Sequence, residues 1–169
     1  MAEKGTEKDS APAESGAGLR VYLAGPLFTI PERRMNRELA RALEHELPGA
    51  QVVLPQDFKH DDRYNAPRAF GLIFKSCLEG VASSHCVVAW LDGADGDSGT
   101  CFEVGYAFAK GIPVVGVRTD FRLNQERGVN VMLSRACSAF VYRPSFDEDM
   151  AGLAKGVARA VLKAVRGRH

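Results

Sequence analysis

Two carboxylates six residues apart, Asp97 and Glu103, have the types and spacing best suited to chemistry in this chain. Such a pair can divide the labour of glycosyl transfer, one acting as nucleophile at a sugar carbon and the other as the acid that handles the leaving group. The anomeric carbon of a sugar readily develops oxocarbenium character, and a nearby carboxylate stabilises that charge before any bond forms. Both residues lie in the stretch 92–108, where a loop holding Asp92, Gly93, Asp95, Gly96, Asp97 and Gly99 feeds a helix that presents Glu103 to a ligand pocket. A glycine-rich strand-to-helix turn often cradles phosphate with backbone N–H groups, but aspartates at this density oppose an anion. Neither GxGxxG nor GxxxxGK[ST] occurs, so dinucleotide and P-loop readings lose their main support. On spacing alone, Glu103 equally suits a helix N-terminus and Asp97 a turn.

The elements that position these residues are legible from the apolar runs. Five of them, at 20–24, 51–54, 86–91, 113–117 and 139–142, are near-continuous rather than alternating, as strands covered on both faces require. Between the first two, Met35, Leu39, Leu43 and Leu47 recur at helical spacing behind a Thr29–Glu32 capping box, which predicts a helix of about four turns. Ala69, Leu72, Ile73, Cys77, Leu78 and Val81 form one stripe of a helix over 67–82. Further helices are expected over 100–110, closed by Gly111-Ile-Pro, and over 148–165. The segment 118–138 is the least regular and reads as a loop with a helical turn. Strands alternating with helices imply an α/β, three-layer fold with a five-stranded parallel sheet and right-handed crossovers. In such a sheet ligands collect outside the carboxyl ends of the strands. Ala24-Gly25-Pro26 with Phe28, Pro55-Gln56-Asp57, and the Asp92–Thr100 loop all fall on that rim.

Composition bounds the partners. The 169 residues, 46% hydrophobic, suit one domain (19–169) after a polar start at 1–18 that has too few apolar groups to order itself and is expected to be disordered. Twenty-two Lys+Arg against 21 Asp+Glu leave a formal charge of +1, so no global field points towards a nucleic-acid polymer or an anionic membrane. Cys77, Cys86, Cys101 and Cys137 lack CxxC spacing, and no apolar run approaches a membrane span. Disulfides, metal sites and membrane insertion are therefore disfavoured. Without an apolar stretch after Met1, a reducing cytoplasm is the expected location.

Four blocks extend the reading: Tyr22-Leu-Ala-Gly-Pro-Leu-Phe28, Leu54-Pro-Gln-Asp57, Asp97-Ser-Gly-Thr-Cys-Phe-Glu-Val-Gly-Tyr-Ala107 and Asn130-Val-Met132. Together they resemble, in order, the signature blocks of the nucleoside 2-deoxyribosyltransferase family, and they span most of residues 20–142. The resemblance implies a flavodoxin-like sheet of order 2-1-3-4-5 and exchange of the base of a 2′-deoxynucleoside through a covalent deoxyribosyl-glutamate. It implies no cofactor. Its nucleophile falls on Glu103, the hydroxyl that orients that carboxylate on Tyr22, and the proton carrier for leaving and incoming base on Asp97. Phe28 and Gln56 match positions lining the base pocket, and Gly25, Ser98 and Gly99 fall at substrate-binding positions within the blocks. Asn130 and Met132 match residues that a neighbouring subunit supplies, which implies a homo-oligomer. Apolar lining from Leu27, Phe28 and Met132 would keep water from the intermediate.

The chain departs from that pattern at two places. Cys77 stands where a further active-site aspartate is usual, and His85 stands where another aspartate is frequent. Cys77 on an apolar stripe reads as packing, and His85 at a strand entrance reads as structural. Two alternative functions accompany the transferase: a hydrolase of the N-glycosidic bond of (deoxy)nucleosides or their 5′-monophosphates, and a nucleotide- or nucleoside-binding sensor without turnover. Relatives of the hydrolase kind tend to carry Ser at the Asp97 position, so Asp97 speaks for the transferase, while Cys77 speaks for the sensor.

Overall fold

The structure, a computed structural model, describes residues 16, 18–59, 67–122, 128–144, 146 and 148–167. Most of the tail expected to be disordered therefore lies outside the described residues. Within it, the Gly16 N–H donates to the Pro48 carbonyl at 3.1 Å, and Gly16 is buried against Leu47.

The chain runs β1 (Arg20–Ala24), α1 (Ile30–Glu46), β2 (Gln51–Val53), a 3₁₀ turn (Pro55–Asp57), α2 (Pro67–Ala82), β3 (Cys86–Trp90), α3 (Ser98–Ala109), β4 (Val114–Arg118), α4 (Val131–Ala136), β5 (Ala139–Tyr142) and α5 (Met150–Arg166). The strands form one five-stranded sheet of order β2-β1-β3-β4-β5, and every pairing is parallel. That is the parallel α/β arrangement expected from the alternation of apolar runs and helical stripes, in the flavodoxin-like strand order that the family resemblance implies. The order in which strands are added reverses between β1 and β3, with Tyr22 opposite Val87 and Ala24 opposite Ala89. Ligand crevices in this class of sheet open at that point.

Side-chain alternation along β1 sorts the two cores. Val21 and Leu23 join Leu39, Leu43, Val157 and Val161 under α1 and α5, whereas Tyr22 and Ala24 join Val81, Val104 and Ala107 under α2 and α3. Both faces of β3 and β4 are fully buried, which is why their sequences do not alternate.

The capping box at the start of α1 is formed: the Thr29 N–H donates to Glu32 Oε2 at 2.7 Å, and the Glu32 N–H donates to Thr29 Oγ1 at 3.4 Å. The buried stripe of α1, however, is Asn36, Leu39, Ala40 and Leu43, with Met35 40% exposed. On α2, Leu72 is likewise exposed while Ala69, Gly80 and Val81 are buried. In the irregular segment, the described part from Val129 onward contains the short helix α4, begun by an Asn130 cap; residues 123–127 lie outside the described set.

Candidate active site

Glu103 sits in the second turn of α3, half-buried, and its carboxylate meets the fully buried Tyr22 from β1. The Tyr22 hydroxyl donates to Glu103 Oε1 at 2.5 Å. Burial pushes the Glu103 carboxyl up to about 7; hydrogen bonds from Tyr22 and Cys77 pull against this, and the charge of Asp97 adds to it. The Tyr22 phenol is held far above its usual range, first by burial and then by the Glu103 charge, so it remains a hydrogen-bond donor. Cys77 of α2 is half-buried, and burial pushes its thiol up. α2 packs closely against the Tyr22 ring. Gly80, one turn further along α2, makes this approach feasible. A Cβ there would lie 2.7 Å from Tyr22 Cε2 and 3.1 Å from Phe58 Cζ.

Asp97 caps α3. Its Oδ2 accepts from the Thr100 N–H at 2.8 Å and from Thr100 Oγ1 at 2.9 Å. The turn role considered from sequence is therefore real. Both cap bonds use Oδ2, which leaves Oδ1 as the oxygen able to address a ligand. Ser98 and Gly99, the first exposed residues of α3, follow directly. Of the other loop acids, Asp92 is occupied elsewhere. Asp92 accepts from Trp90 Nε1, the Thr119 N–H and hydroxyl, and the Asp120 N–H, tying the end of β3 to the end of β4. Arg118, also buried, donates to the carbonyls of Leu91, Gly93 and Arg122, and Gly93 takes the left-handed turn at φ 109°.

A third group of residues fixes the loop after β1. Asn36, 5% exposed, donates to the Pro26 carbonyl at 2.8 Å and to Gln56 Oε1 at 3.4 Å; Gln56 Nε2 in turn donates to the Arg33 carbonyl at 2.9 Å. The Arg33 guanidinium donates to the carbonyls of Leu27 and Phe28 at 2.9 and 2.8 Å. Gly25 fits beneath, where a Cβ would meet Asn36 Oδ1 and Trp90 Cβ at 3.2 Å each. Gln56 thus shapes the rim through its amide, and the Phe28 ring is exposed. Arg33 and Asn36 were not among the residues expected to serve the site. The available signal was an amide on an apolar helical stripe, since Asn36 lies three residues before Leu39 and four before Ala40.

Asn130 Oδ1 accepts from the Met132 N–H at 2.9 Å, and the Met132 side chain is 76% exposed. Neither residue makes a described hydrogen bond to the Tyr22–Glu103 pair. His85 has the structural role expected: its Nδ1 accepts from the Arg20 N–H at 2.9 Å, at the opposite end of β1 from the site. A cavity of about 660 Å³ lies at that same amino edge, lined among others by Ile112, Arg135, Cys137 and Lys163. It holds none of the carboxylates named above. Helix C-termini converge there, and cations such as Lys163, in the last turn of α5, complement them.

Comparison with known proteins agrees with this geometry. The family model for nucleoside 2-deoxyribosyltransferase matches residues 21–132. Among solved structures, a conserved protein from Enterococcus faecalis V583 is 27% identical, with 90% of this chain and 100% of that one covered and a TM-score of 0.57. A 2-deoxyribosyltransferase from Bacillus psychrosaccharolyticus is 21% identical over 79% of this chain and 95% of that one, TM-score 0.59. A CMP N-glycosidase from Clostridium botulinum is 18% identical over 79% and 97%, TM-score 0.54. At these identities the last two establish the fold alone. No curated protein matches the chain in sequence. The family match covers well over half of the residues and carries both Tyr22 and Glu103: the chain belongs to the nucleoside 2-deoxyribosyltransferase family.

Proposed function

We propose that this protein transfers a 2-deoxyribosyl group between nucleobases, with Glu103 as the covalent nucleophile. The observation that carries the reading is the 2.5 Å hydrogen bond from Tyr22 to a half-buried Glu103 carboxylate at the switch point of the sheet. Burial withholds water from that carboxylate and leaves it basic, and Tyr22 fixes its orientation. In the first half-reaction a Glu103 oxygen bonds to C1′ as the C1′–N bond breaks; the electron pair leaves with the base nitrogen, and Asp97 supplies the proton. In the second, Asp97 takes a proton from the incoming base, whose nitrogen attacks C1′ and releases the carboxylate. Asn36, Arg33 and Gln56 support this by holding the 25–28 loop against the rim.

We further propose that the working unit is a homo-oligomer in which Asn130 and Met132 close a neighbouring subunit's site. The exposed Met132, Val131 and Phe28 are apolar surfaces that one protomer leaves open, and the intermediate requires shelter from water.

Incubation with deoxyinosine and free adenine tests the reaction. The expected products are deoxyadenosine and hypoxanthine in equal amounts. Free deoxyribose would identify a hydrolase, and saturable binding without turnover a sensor; either result contradicts the proposal.

A further inference from the structure

Arg118, the last residue of β4, is buried, and its guanidinium lies between two segments that flank the site. Towards β3, Nη1 donates to the Leu91 carbonyl at 2.6 Å and to the Gly93 carbonyl at 3.1 Å, at the start of the loop that carries Asp97. Asp120, whose Oδ2 lies 3.7 Å from Arg118 Nη2, accepts from the Gly93 N–H at 3.1 Å, so both backbone groups of Gly93 are held. On the other side, Nη2 donates to the Arg122 carbonyl at 3.1 Å. Gly128, at φ 81°, closes over the same group: a Cβ there would lie 2.4 Å from Arg118 Nη2. Asn130 then caps α4, and Leu133 of α4 packs back on the Asp97 loop, where a Cβ on Gly96 would lie 3.1 Å from Leu133 Cδ1. Burying a guanidinium is costly, and Arg118 Nε is buried with no partner among the described residues. A side chain that merely filled this space would be apolar. The planar fork of arginine addresses several carbonyls in fixed directions, which the single nitrogen of a lysine cannot do.

We propose that Arg118 is a positioning residue for the proton carrier: its guanidinium clamps the start of the Asp97 loop against Arg122 and Gly128, and so sets where Asp97 meets the base. The inference rests on Asp97 carrying the proton of the base. Arg118 makes its hydrogen bonds to backbone carbonyls and acts through Gly93, four residues before Asp97. The cap bonds from Thr100 orient the Asp97 carboxylate on α3, and the clamp on Gly93 fixes the path by which the loop reaches it.

Two measurements on the full chain test this. The first is base exchange from deoxyinosine to adenine for Arg118→Lys and Gly128→Ala, each alone and each combined with Asp97→Asn, with thermal unfolding to confirm that each variant folds. Each single variant is expected to lose about 10-fold in kcat with KM within about twofold, the effect of a displaced catalytic group on an intact binding site. In the Asp97→Asn background neither should cost more than about twofold further, because a residue that acts through Asp97 then has nothing left to position. A merely structural role would give losses that multiply. Multiplied losses in the double variants overturn the inference, as does wild-type kcat in either folded single variant. Gly128→Ala reaches the guanidinium from the side opposite Gly93, and it decides the matter if Arg118→Lys does not fold.

The second measurement needs no turnover. Deuterium uptake by peptides covering 91–97 and 128–133, followed by mass spectrometry, should be faster in Arg118→Lys and in Gly128→Ala than in wild type, with uptake by α1 unchanged. Unchanged uptake over either segment overturns the clamp. Faster uptake over both, in a protein that neither exchanges nor hydrolyses deoxyinosine, would support the clamp and overturn the transferase reading instead; active exchange with unchanged uptake overturns the role of Arg118 alone.

Discussion

At Glu103, burial favours the protonated acid while the proposed nucleophile must be ionised. A carboxylate half out of water in a folded protein holds its proton more tightly, and here burial takes it up to about 7. As the nucleophile it must be ionised, so kcat/KM is expected to rise with pH up to about 7 and level off above it, as measured in the exchange assay. A profile that falls above pH 7 would instead identify Glu103 as a general acid. Asp97 caps α3 and is proposed to carry the proton of the base, and two substitutions separate the roles. Asn is as good an N-cap as Asp. Asp97→Asn should therefore keep the unfolding midpoint of the wild type while losing about 10²-fold in exchange. Asp97→Ala should lose the same activity and in addition about 1 kcal/mol of stability, read by denaturant unfolding. The meeting of Tyr22 with Glu103 was legible in the sequence only through the blocks that resemble the family's, since on spacing alone Glu103 suits a helix terminus as well as a nucleophile.

At the scale of elements, the approach of α2 to β1 decides whether Tyr22 can reach Glu103. Gly80 gives α2 room, with only 2.7 Å between a virtual Cβ and the Tyr22 ring. Gly80→Ala should therefore destabilise the fold by about 1–3 kcal/mol despite the better helix propensity of Ala, the cost of overpacking. It should also lower kcat by displacing the Tyr22 hydroxyl; an unchanged unfolding midpoint would contradict this packing. The helices and strands themselves were readable, since continuous apolar runs mark strands buried on both faces and a capping box marks the start of α1. Helix facing was less so. On α1, Leu39, Leu43 and Leu47 are buried as expected, but Met35 is exposed and Asn36, about 100° further round the helix, lies inside, where its amide holds the 25–28 loop. Arg33 and Asn36 bind backbone carbonyls, which any sequence supplies, so no motif announces them. The buried Arg118 is of the same kind: it secures Leu91 and Gly93 through their carbonyls.

For the whole molecule, the order β2-β1-β3-β4-β5 places the ends of β1 and β3 side by side, and from that follow the adjacency of the 25–28 and 92–97 loops and the descent of α3 onto Tyr22. Among the described residues no helix is long and apolar enough to cross a membrane. Several of the exposed apolar side chains lie on helices α2 to α4: Phe70 and Phe74 of α2, Phe102 of α3, and Val131 and Met132 of α4, with the Phe74 and Phe102 ring centroids 5.8 Å apart. Patches of this kind mark interfaces. Light scattering is expected to give a mass above that of one chain, and Met132→Asp is expected to lower that mass towards one chain and the exchange rate by about 10-fold; a fully active monomer would contradict the shared site. The central claim is that Glu103 carries the sugar. Mixing the protein with deoxyinosine in the absence of an acceptor base, then quenching with acid and mapping peptides by mass spectrometry, tests it most directly. One deoxyribosyl group on the peptide containing Glu103, released when adenine is added and absent from Glu103→Ala, is the expected result; full exchange activity in Glu103→Ala would contradict it.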